Sequence, residues 1–100
     1  MIYFLRNGGA DASPEFEFDE AKSRADAQKH GIDFDEAQKL WADEAMVVAP
    51  ARDAGEQRFL VIGMIGSTHW SAIVTYRGER VRIISVRRAR TREAGHYEGE

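Results

Sequence analysis

The sequence predicts an α+β fold: an antiparallel β-sheet with two N-terminal helices packed on one face and a short C-terminal helix. Two segments with helical apolar spacing stand close together between residues 19 and 42. Four segments of strand-like composition follow from residue 46 onward, separated by short turns. A chain of 100 residues suffices for one such two-layer core, so we expect a single domain.

The N-terminal residues divide into a leader and a first strand. Residues 1–15 include the turn-rich run NGGADAS, and we expect a flexible leader or a loosely attached strand there. The domain itself is expected to span residues 16–100. Phe16 and Phe18 alternate with acidic residues in EFEFD, which predicts a short strand with one buried face.

Two short helices are predicted next, joined by a glycine turn. Asp19 is placed to cap the first helix and Gly31 to end it, while Ala21 and Ala25 form an apolar stripe suited to close packing. Asp33 is placed to begin the second helix. The apolar face of that second helix comprises Phe34, Ala37, Leu40 and Trp41.

The remainder of the chain is rich in strands. The continuously apolar run RFLVIGMIG predicts a central strand, and Pro50 places the preceding strand at a sheet edge or a strand end. Short turns predict an antiparallel meander. Thr91 is expected to cap a terminal helix that Gly95 weakens. The predicted strand segments are 46–51, 58–66, 69–76 and 80–87.

The charge of the chain is unevenly distributed. Residues 1–57 carry 6 basic and 13 acidic residues, whereas residues 58–100 carry 8 basic and 4 acidic residues. All the basic residues of the second part are arginines, whose planar guanidinium groups suit phosphate and carboxylate. The asymmetry predicts either an anionic ligand such as RNA or neutralisation of one half by the other.

Several classes of function lack support in the sequence. The three histidines are not spaced as metal ligands, no serine lies in a nucleophile elbow and cysteine is absent, so we expect no metal site and no cofactor. The apolar start MIYFL is shorter than a secretory signal requires, and no stretch reaches the length of a membrane span. We therefore expect a cytoplasmic protein that contacts no membrane.

Arginines concentrate in the last predicted strand and just after it. Seven of the fourteen basic residues fall between positions 77 and 92. Simple alternation along RVRIISVRR places Val81, Ile83, Ser85 and Arg87 on one face of the strand and Arg80, Arg82, Ile84, Val86 and Arg88 on the other. Binding of a phosphate backbone is the simplest purpose that so many arginines share.

Two separated blocks of the sequence resemble one known family. FEFDEAKSRADAQKHGIDFDEA (16–37) and RIISVRRARTREAGHYE (82–98) are similar to the opening and closing motifs of the BrnT family of type II toxins. The resemblance covers the chain from about Phe16 to Glu98. It implies a RelE-like fold and a ribonuclease that inhibits translation. It also implies an inhibitory BrnA-like antitoxin with a ribbon-helix-helix domain, so that DNA is contacted only indirectly, through the antitoxin.

The resemblance also suggests which residues act on RNA. Cleavage by the substrate's own 2′-hydroxyl needs cations on the developing phosphorane charge and groups that move protons. Arg87 and Arg58 are the candidates for charge stabilisation, and His30 or Glu93 for proton transfer. The candidates for binding the substrate are Lys22, Lys29, Arg82, Arg88 and Tyr97.

Two departures from the family pattern favour an alternative. Asp26 stands where asparagine is common and adds negative charge beside Lys22 and His30. Residues 94–96 stand where relatives are often more basic. Both changes weaken the expected affinity for RNA, so the alternative function is a non-catalytic module that binds RNA or protein.

Overall fold

The computed structural model of the protein describes residues 3–4, 14–52 and 55–99. Over this part of the chain, six strands form one sheet in the order β1-β3-β4-β5-β6-β2. The strands are β1 (Tyr3–Phe4), β2 (Glu15–Glu17), β3 (Val47–Ala51), β4 (Arg58–Ile65), β5 (Thr68–Arg77) and β6 (Arg80–Arg88). The helices are α1 (Glu20–His30), α2 (Phe34–Ala37), a 3₁₀ segment (Gln38–Ala42) and α3 (Thr91–Glu98).

The coarse α+β class is confirmed, but the prediction of a purely antiparallel sheet is wrong. The meander β3-β4-β5-β6 is antiparallel, whereas β2 pairs in parallel with the outer edge of β6. Parallel neighbours need a long crossover connection, and here the helices and three other strands lie between β2 and β6 in the chain. Turn residues indicate only the local hairpins, so no sequence pattern predicts this distant pairing.

The predicted helix boundaries are confirmed by their caps. The Asp19 carboxylate accepts hydrogen bonds from the first turn of α1, and Gly31 ends that helix in the left-handed region at φ 96°. Asp33 caps α2 by accepting from the Glu36 amide at 2.8 Å. The second helix is α-helical for only four residues before it tightens into the 3₁₀ segment.

The predicted packing face of α1 is wrong. Ala21 and Ala25 are exposed, and the buried residues of the helix are Ser23 and Asp26. Ser23 Oγ accepts from the Phe34 amide at 2.9 Å, which links α1 to the start of α2. Polar groups can be buried in this way because each has a hydrogen-bond partner.

The hydrophobic core lies between the helices and the sheet. Phe34, Leu40 and Ala37 have no exposed surface, and Trp41 is nearly buried. They belong to one cluster with strand residues, against which Phe16 of β2 packs through an edge-to-face contact with Trp41. The strand members of the cluster are Val48, Val61, Trp70, Ala72, Val74, Val81, Ile83 and Val86.

The terminal segments differ from expectation in detail. Thr91 is the first residue of α3 rather than its cap; Arg90 precedes the helix, and its amide donates to the Glu93 carboxylate at 2.9 Å. Of residues 1–15, expected to be a leader or a loose strand, most lie outside the described residues. Tyr3 and Phe4 pair with β3 as β1, and Glu15 opens β2.

Candidate active site

Strand β6 contains a β-bulge that reorients its second half. Ile73 of β5 pairs with Ser85, but the next residue, Val74, pairs with Ile83. Ile84 is therefore an extra residue on β6 without a partner on β5. A bulge of this kind reverses the alternation of side chains beyond it.

The bulge decides which face carries Arg87. Val86 is buried beside Val81 in the core cluster, although simple alternation placed these two valines on opposite faces. Arg87 pairs with Ser71 across β5 and lies on the face away from the core, and Arg88 lies on the core side. The face assignment of the strand from sequence is therefore wrong for its second half.

Arg87 is held by Glu93 of α3. Arg87 Nη1 and Nη2 each donate to one carboxylate oxygen of Glu93 at 2.8 Å, the bidentate geometry of a strong ion pair. Arg87 Nη1 also donates to the backbone carbonyl oxygen of Arg88 at 3.1 Å. The side chains of Arg87 and Glu93 are 25% and 12% exposed, so the pair is partly shielded from water.

The Glu93 carboxylate accepts four hydrogen bonds. Its Oε1 accepts from Ser71 Oγ at 2.8 Å and from the Arg90 amide, in addition to Arg87. The hydrogen bond with Arg87 and those from Arg90 and Ser71 lower the pKa of Glu93 from 4.5 to about 2, against the opposing effect of burial. The same hydrogen bond raises the pKa of Arg87. Both groups are thus charged at neutral pH, and this state suits Glu93 to holding Arg87 rather than to accepting a proton.

One edge of the Arg87 guanidinium remains free. A guanidinium has five N–H donors, and the contacts to Glu93 and Arg88 use three. The two remaining donors, on Nε and Nη2, have no partner among the described residues and lie side by side on one edge. Two parallel N–H groups of this kind are suited to holding two oxygens of a phosphate.

A second group of polar side chains lies beside this pair. His69 is two residues before Ser71 on β5, and its Nε2 lies 2.7 Å from Glu98 Oε2 of α3. The His69 ring also contacts Tyr97 edge to face, with ring centroids 5.2 Å apart. Because residues i and i+2 of a strand share a face, His69 and Arg87 lie on the same side of the sheet.

Tyr97 is fixed from behind by Asp43. Tyr97 Oη donates to Asp43 Oδ2 at 2.8 Å, and the same oxygen accepts from the Met64 amide. Burial, the hydrogen bond to Asp43 and the nearby carboxylates raise the pKa of Tyr97 to about 12. Gly63 leaves the space for this contact, because a Cβ there would lie 3.2 Å from the Asp43 oxygen.

The other arginines on this face are paired more loosely. Arg82 Nη1 lies 3.1 Å from Glu17, and Arg80 Nε lies 3.3 Å from Glu15. Arg58 and Arg77 both approach Glu56, at 3.6 and 3.8 Å. In each of these pairs an arginine from the basic part of the chain meets a glutamate from the acidic part, so neutralisation between the halves is real.

Arg58 does not lie beside Arg87. Arg58 precedes Phe59, which pairs with Val74, so Arg58 lies opposite Thr75 on β5. Thr75 is four residues from Ser71, which separates the two arginines by about 13 Å along the sheet. The Nε of Arg58 is buried without a hydrogen-bond partner.

The remaining predicted residues lie on other parts of the molecule. Lys22 forms a salt bridge with the buried Asp26 within α1, and Arg88 lies over the Trp70 ring, 5.8 Å from its centroid. Lys29 and His30 occupy the last turn of α1. No hydrogen bond or ion pair among the described residues joins either of them to the Arg87 cluster. Of the predicted site residues, Arg87, Glu93 and Tyr97 are the ones that α3 brings together.

Sequence motifs do not indicate Ser71 and His69, because no catalytic motif contains them. The two residues occupy adjacent positions on one face of β5, and Ser71 lies directly opposite Arg87. The alternation of HWS on β5 was the available signal, and it became informative only with the register between β5 and β6.

The described residues contain neither a cluster of metal ligands nor a helix that could span a membrane. Within residues 14–52 and 55–99, no three His, Asp or Glu side chains are grouped to hold a metal ion. None of the helices in the described part of the chain is long and apolar enough to cross a membrane.

The fold and this cluster define a small α+β protein in which an ion pair fixes an arginine on the face of the sheet away from the core. The chain belongs to the BrnT family: the family model described as "Ribonuclease toxin, BrnT, of type II toxin-antitoxin system" matches residues 18–93. The match includes Arg87 and Glu93 and ends before Tyr97. A comparison with curated proteins found no match. Membership of this family implies an RNA substrate and an antitoxin partner.

Proposed function

We propose that the chain is an endoribonuclease that cleaves RNA without a metal ion, by attack of the substrate's own 2′-hydroxyl on the adjacent phosphate. The observation that carries this proposal is the geometry of Arg87. Glu93 fixes one end of the guanidinium, and the edge formed by Nε and Nη2 is free to hold phosphate oxygens. A fixed cation that meets the developing charge needs no reorganisation during the reaction.

The other predicted residues enter the proposal with different roles. Glu93 orients Arg87, since both of its oxygens are engaged and its pKa is about 2. Arg82 and Arg58, two or more rows away on the same face, contact the backbone of a longer RNA once their loose ion pairs with Glu17 and Glu56 open. Lys22, Lys29 and Arg88 bind flanking phosphates, Tyr97 supports the site from α3, and His30, which has no described contact with Arg87, supplies a proton to the leaving oxygen through water.

The experiment is cleavage of a defined RNA by the purified protein in the presence of EDTA. Cleavage should persist in EDTA and leave a 2′,3′-cyclic phosphate and a 5′-hydroxyl, identified by mass spectrometry. In cells, induced expression should arrest growth, and Arg87→Ala and His30→Ala should relieve the arrest. If both variants arrest growth as strongly as the unmodified protein, the assignment of these residues is wrong.

We propose further that the toxin acts in the cytoplasm, where it inhibits translation, and that its fold is RelE-like. We also propose that it is neutralised by a BrnA-like antitoxin with a ribbon-helix-helix domain. The family description, which names a type II toxin-antitoxin system, supports a protein antitoxin. The exposed face around Arg87 and Arg82 is suited to acidic segments of such a partner. DNA would be contacted only through the antitoxin. An adjacent gene for a short ribbon-helix-helix protein, and its co-purification with this chain, would test the partner.

A second candidate function is a binding module without catalysis. The pairing of Arg80, Arg82, Arg58 and Arg77 with internal glutamates favours it, because these pairs reduce the positive potential that RNA would meet. Purified protein that binds RNA or an antitoxin but leaves the RNA intact would establish this alternative over the nuclease.

A further inference from the structure

His69 of β5 lies on the Arg87 face of the sheet, where two residues of α3 contact it. We propose that His69 is the base that removes the proton from the 2′-hydroxyl during cleavage, an inference that rests on the proposed nuclease function.

His69 lies near Arg87 on the same face of the sheet. Ser71 pairs with Arg87 across the strands, and His69 follows two residues away on the same face, about 7 Å along the strand. The two side chains can therefore reach one ribose-phosphate unit. His30 lies at the end of α1 and the His96 side chain is exposed on α3, whereas the His69 side chain contacts Tyr97 and Glu98 on the face of the sheet that carries Arg87.

The surroundings of His69 fix its orientation and leave one nitrogen free. Nε2 lies 2.7 Å from Glu98, which sets the tautomer with the proton on Nε2 in the neutral ring. Tyr97 contacts the ring at its side. Nδ1 has no hydrogen-bond partner among the described residues, and the side chain as a whole is 27% exposed, so this nitrogen is free to accept a hydrogen bond. A carboxylate that orients a histidine in this way is a common arrangement in proton transfer.

The proposed step balances without any further reagent. The 2′-hydroxyl loses its proton to Nδ1 of His69 as its oxygen forms a bond to phosphorus. The bond from phosphorus to the 5′-oxygen then breaks, and that oxygen takes a proton from water. The resulting hydroxide removes the proton from His69. The products are a 2′,3′-cyclic phosphate and a 5′-hydroxyl, and Arg87 stabilises the charge on the phosphate oxygens throughout.

The charged neighbours of His69 make the pH dependence informative. Glu98, Tyr97 and Glu93 face it from α3, Arg87 from β6, and Asp43 lies behind Tyr97. Glu93 has a pKa of about 2 and Tyr97 of about 12, and the pKa of Arg87 is raised, so none of these three titrates between pH 5 and 8. A base must be unprotonated to accept a proton, so cleavage that depends on a histidine base should become faster as the pH rises.

The test compares His69→Gln with the unmodified protein in EDTA between pH 5 and 8.5. The glutamine amide can still donate to Glu98, but it cannot accept a proton. We expect a loss of about 100-fold or more in the single-turnover cleavage rate at pH 7.5, with loss of the rise between pH 5 and 8. Affinity for a 2′-deoxy analogue of the RNA, measured by fluorescence anisotropy, should change less than about twofold.

His96→Gln is the matched control, because the His96 side chain is exposed on α3 and forms no hydrogen bond or ion pair with the described part of the chain. It should cleave like the unmodified protein. Glu98→Gln provides a second reading if His69→Gln fails to fold. Removal of the carboxylate takes away the group that orients the ring, so the cleavage rate should fall while the affinity for the analogue holds.

The outcomes separate the two proposals. If the unmodified protein does not cleave RNA, the proposed function fails. If it cleaves, and His69→Gln retains the rate within threefold, the role of His69 is refuted. Parallel loss of cleavage and of analogue binding in His69→Gln and in Glu98→Gln would also refute it, since His69 would then serve only to dock α3.

Discussion

The two halves of β6 use arginine in different ways. Before the bulge at Ile84, Arg80 and Arg82 form single contacts of 3.3 and 3.1 Å with the glutamates of β2. After the bulge, Arg87 is held by two bonds of 2.8 Å to Glu93. Exposed single contacts contribute little to stability and open readily, whereas a bidentate, partly buried pair fixes the guanidinium. The first half is therefore suited to neutralising charge and the second to presenting it.

Arg87→Ala should have the largest effect on activity. Removal of one group that stabilises the transition state typically lowers the rate by about 10²–10³-fold. The measurement is single-turnover cleavage of a defined RNA in EDTA. Arg80→Ala is the control from the first half of β6, and it should lower the rate by less than about threefold. Equal losses in the two variants would mean that the halves of β6 do not differ in function.

Glu93→Gln tests how the pair depends on pH. The pKa of Glu93 is about 2 in the folded chain and 4.5 ordinarily, so its contribution is complete above pH 4.5 and is lost as the pH falls toward 2. The variant should be less stable at pH 7 by on the order of 2 kcal/mol, measured by urea unfolding. The difference should shrink between pH 4.5 and 2.

Glu15→Gln is the matched control for this experiment. The Glu15 side chain is 76% exposed and contacts Arg80 at 3.3 Å. Removal of its charge should therefore leave the free energy of unfolding unchanged within about 0.5 kcal/mol at pH 7 and at pH 2. A Glu93→Gln deficit that stays constant down to pH 2 would contradict the linkage between the carboxylate and stability.

Asp26 supports the second half of β6 from its outer edge. Asp26 Oδ2 accepts from the Val86 amide at 3.0 Å, where β2 no longer covers the strand, and Lys22 balances its charge. Asp26→Ala leaves that buried amide without a partner, so it should cost about 1–3 kcal/mol of unfolding free energy.

Asp26→Asn separates the structural role of this residue from its charge. Asparagine can still accept from the Val86 amide, so the variant should lose less than about 1 kcal/mol in the same urea measurement. Its affinity for RNA should also change less than about twofold, because Lys22 already neutralises the carboxylate. A large gain in affinity would support the view that Asp26 marks a degenerate toxin.

The smallest effect is expected for the pair of Arg82 and Glu17. A double-mutant cycle with Arg82→Ala and Glu17→Ala, measured by urea unfolding, should give a coupling energy of about 0–1 kcal/mol. The side chains are 31% and 27% exposed, so water competes for both. A coupling energy comparable with that of Arg87 and Glu93 would remove the distinction between the two halves.

Local features of the fold were predictable from the sequence, and so was part of the site. Asp19, Gly31 and Asp33 end or begin helices through contacts within a few residues, which sequence patterns record directly. The family motifs indicated Arg87 and Glu93 as site residues. The two residues of this contact are only six positions apart in the chain. Their contact nevertheless forms only if Arg87 points to the face of the sheet on which Glu93 lies.

Only the tertiary structure decided the rest. The parallel pairing of β2 with β6 joins Glu17 to Arg82 across 65 positions of the chain, and Asp26 reaches Val86 across 60. The bulge at Ile84 reverses the alternation of β6 and so selects the face of Arg87. The sequence by itself determined the helix caps, the antiparallel meander and the apolar face of the second helix, because helical periodicity, caps and turns act over short distances. Which arginine is braced and which is merely neutralised depends on register and on partners far along the chain, and no local pattern encodes these.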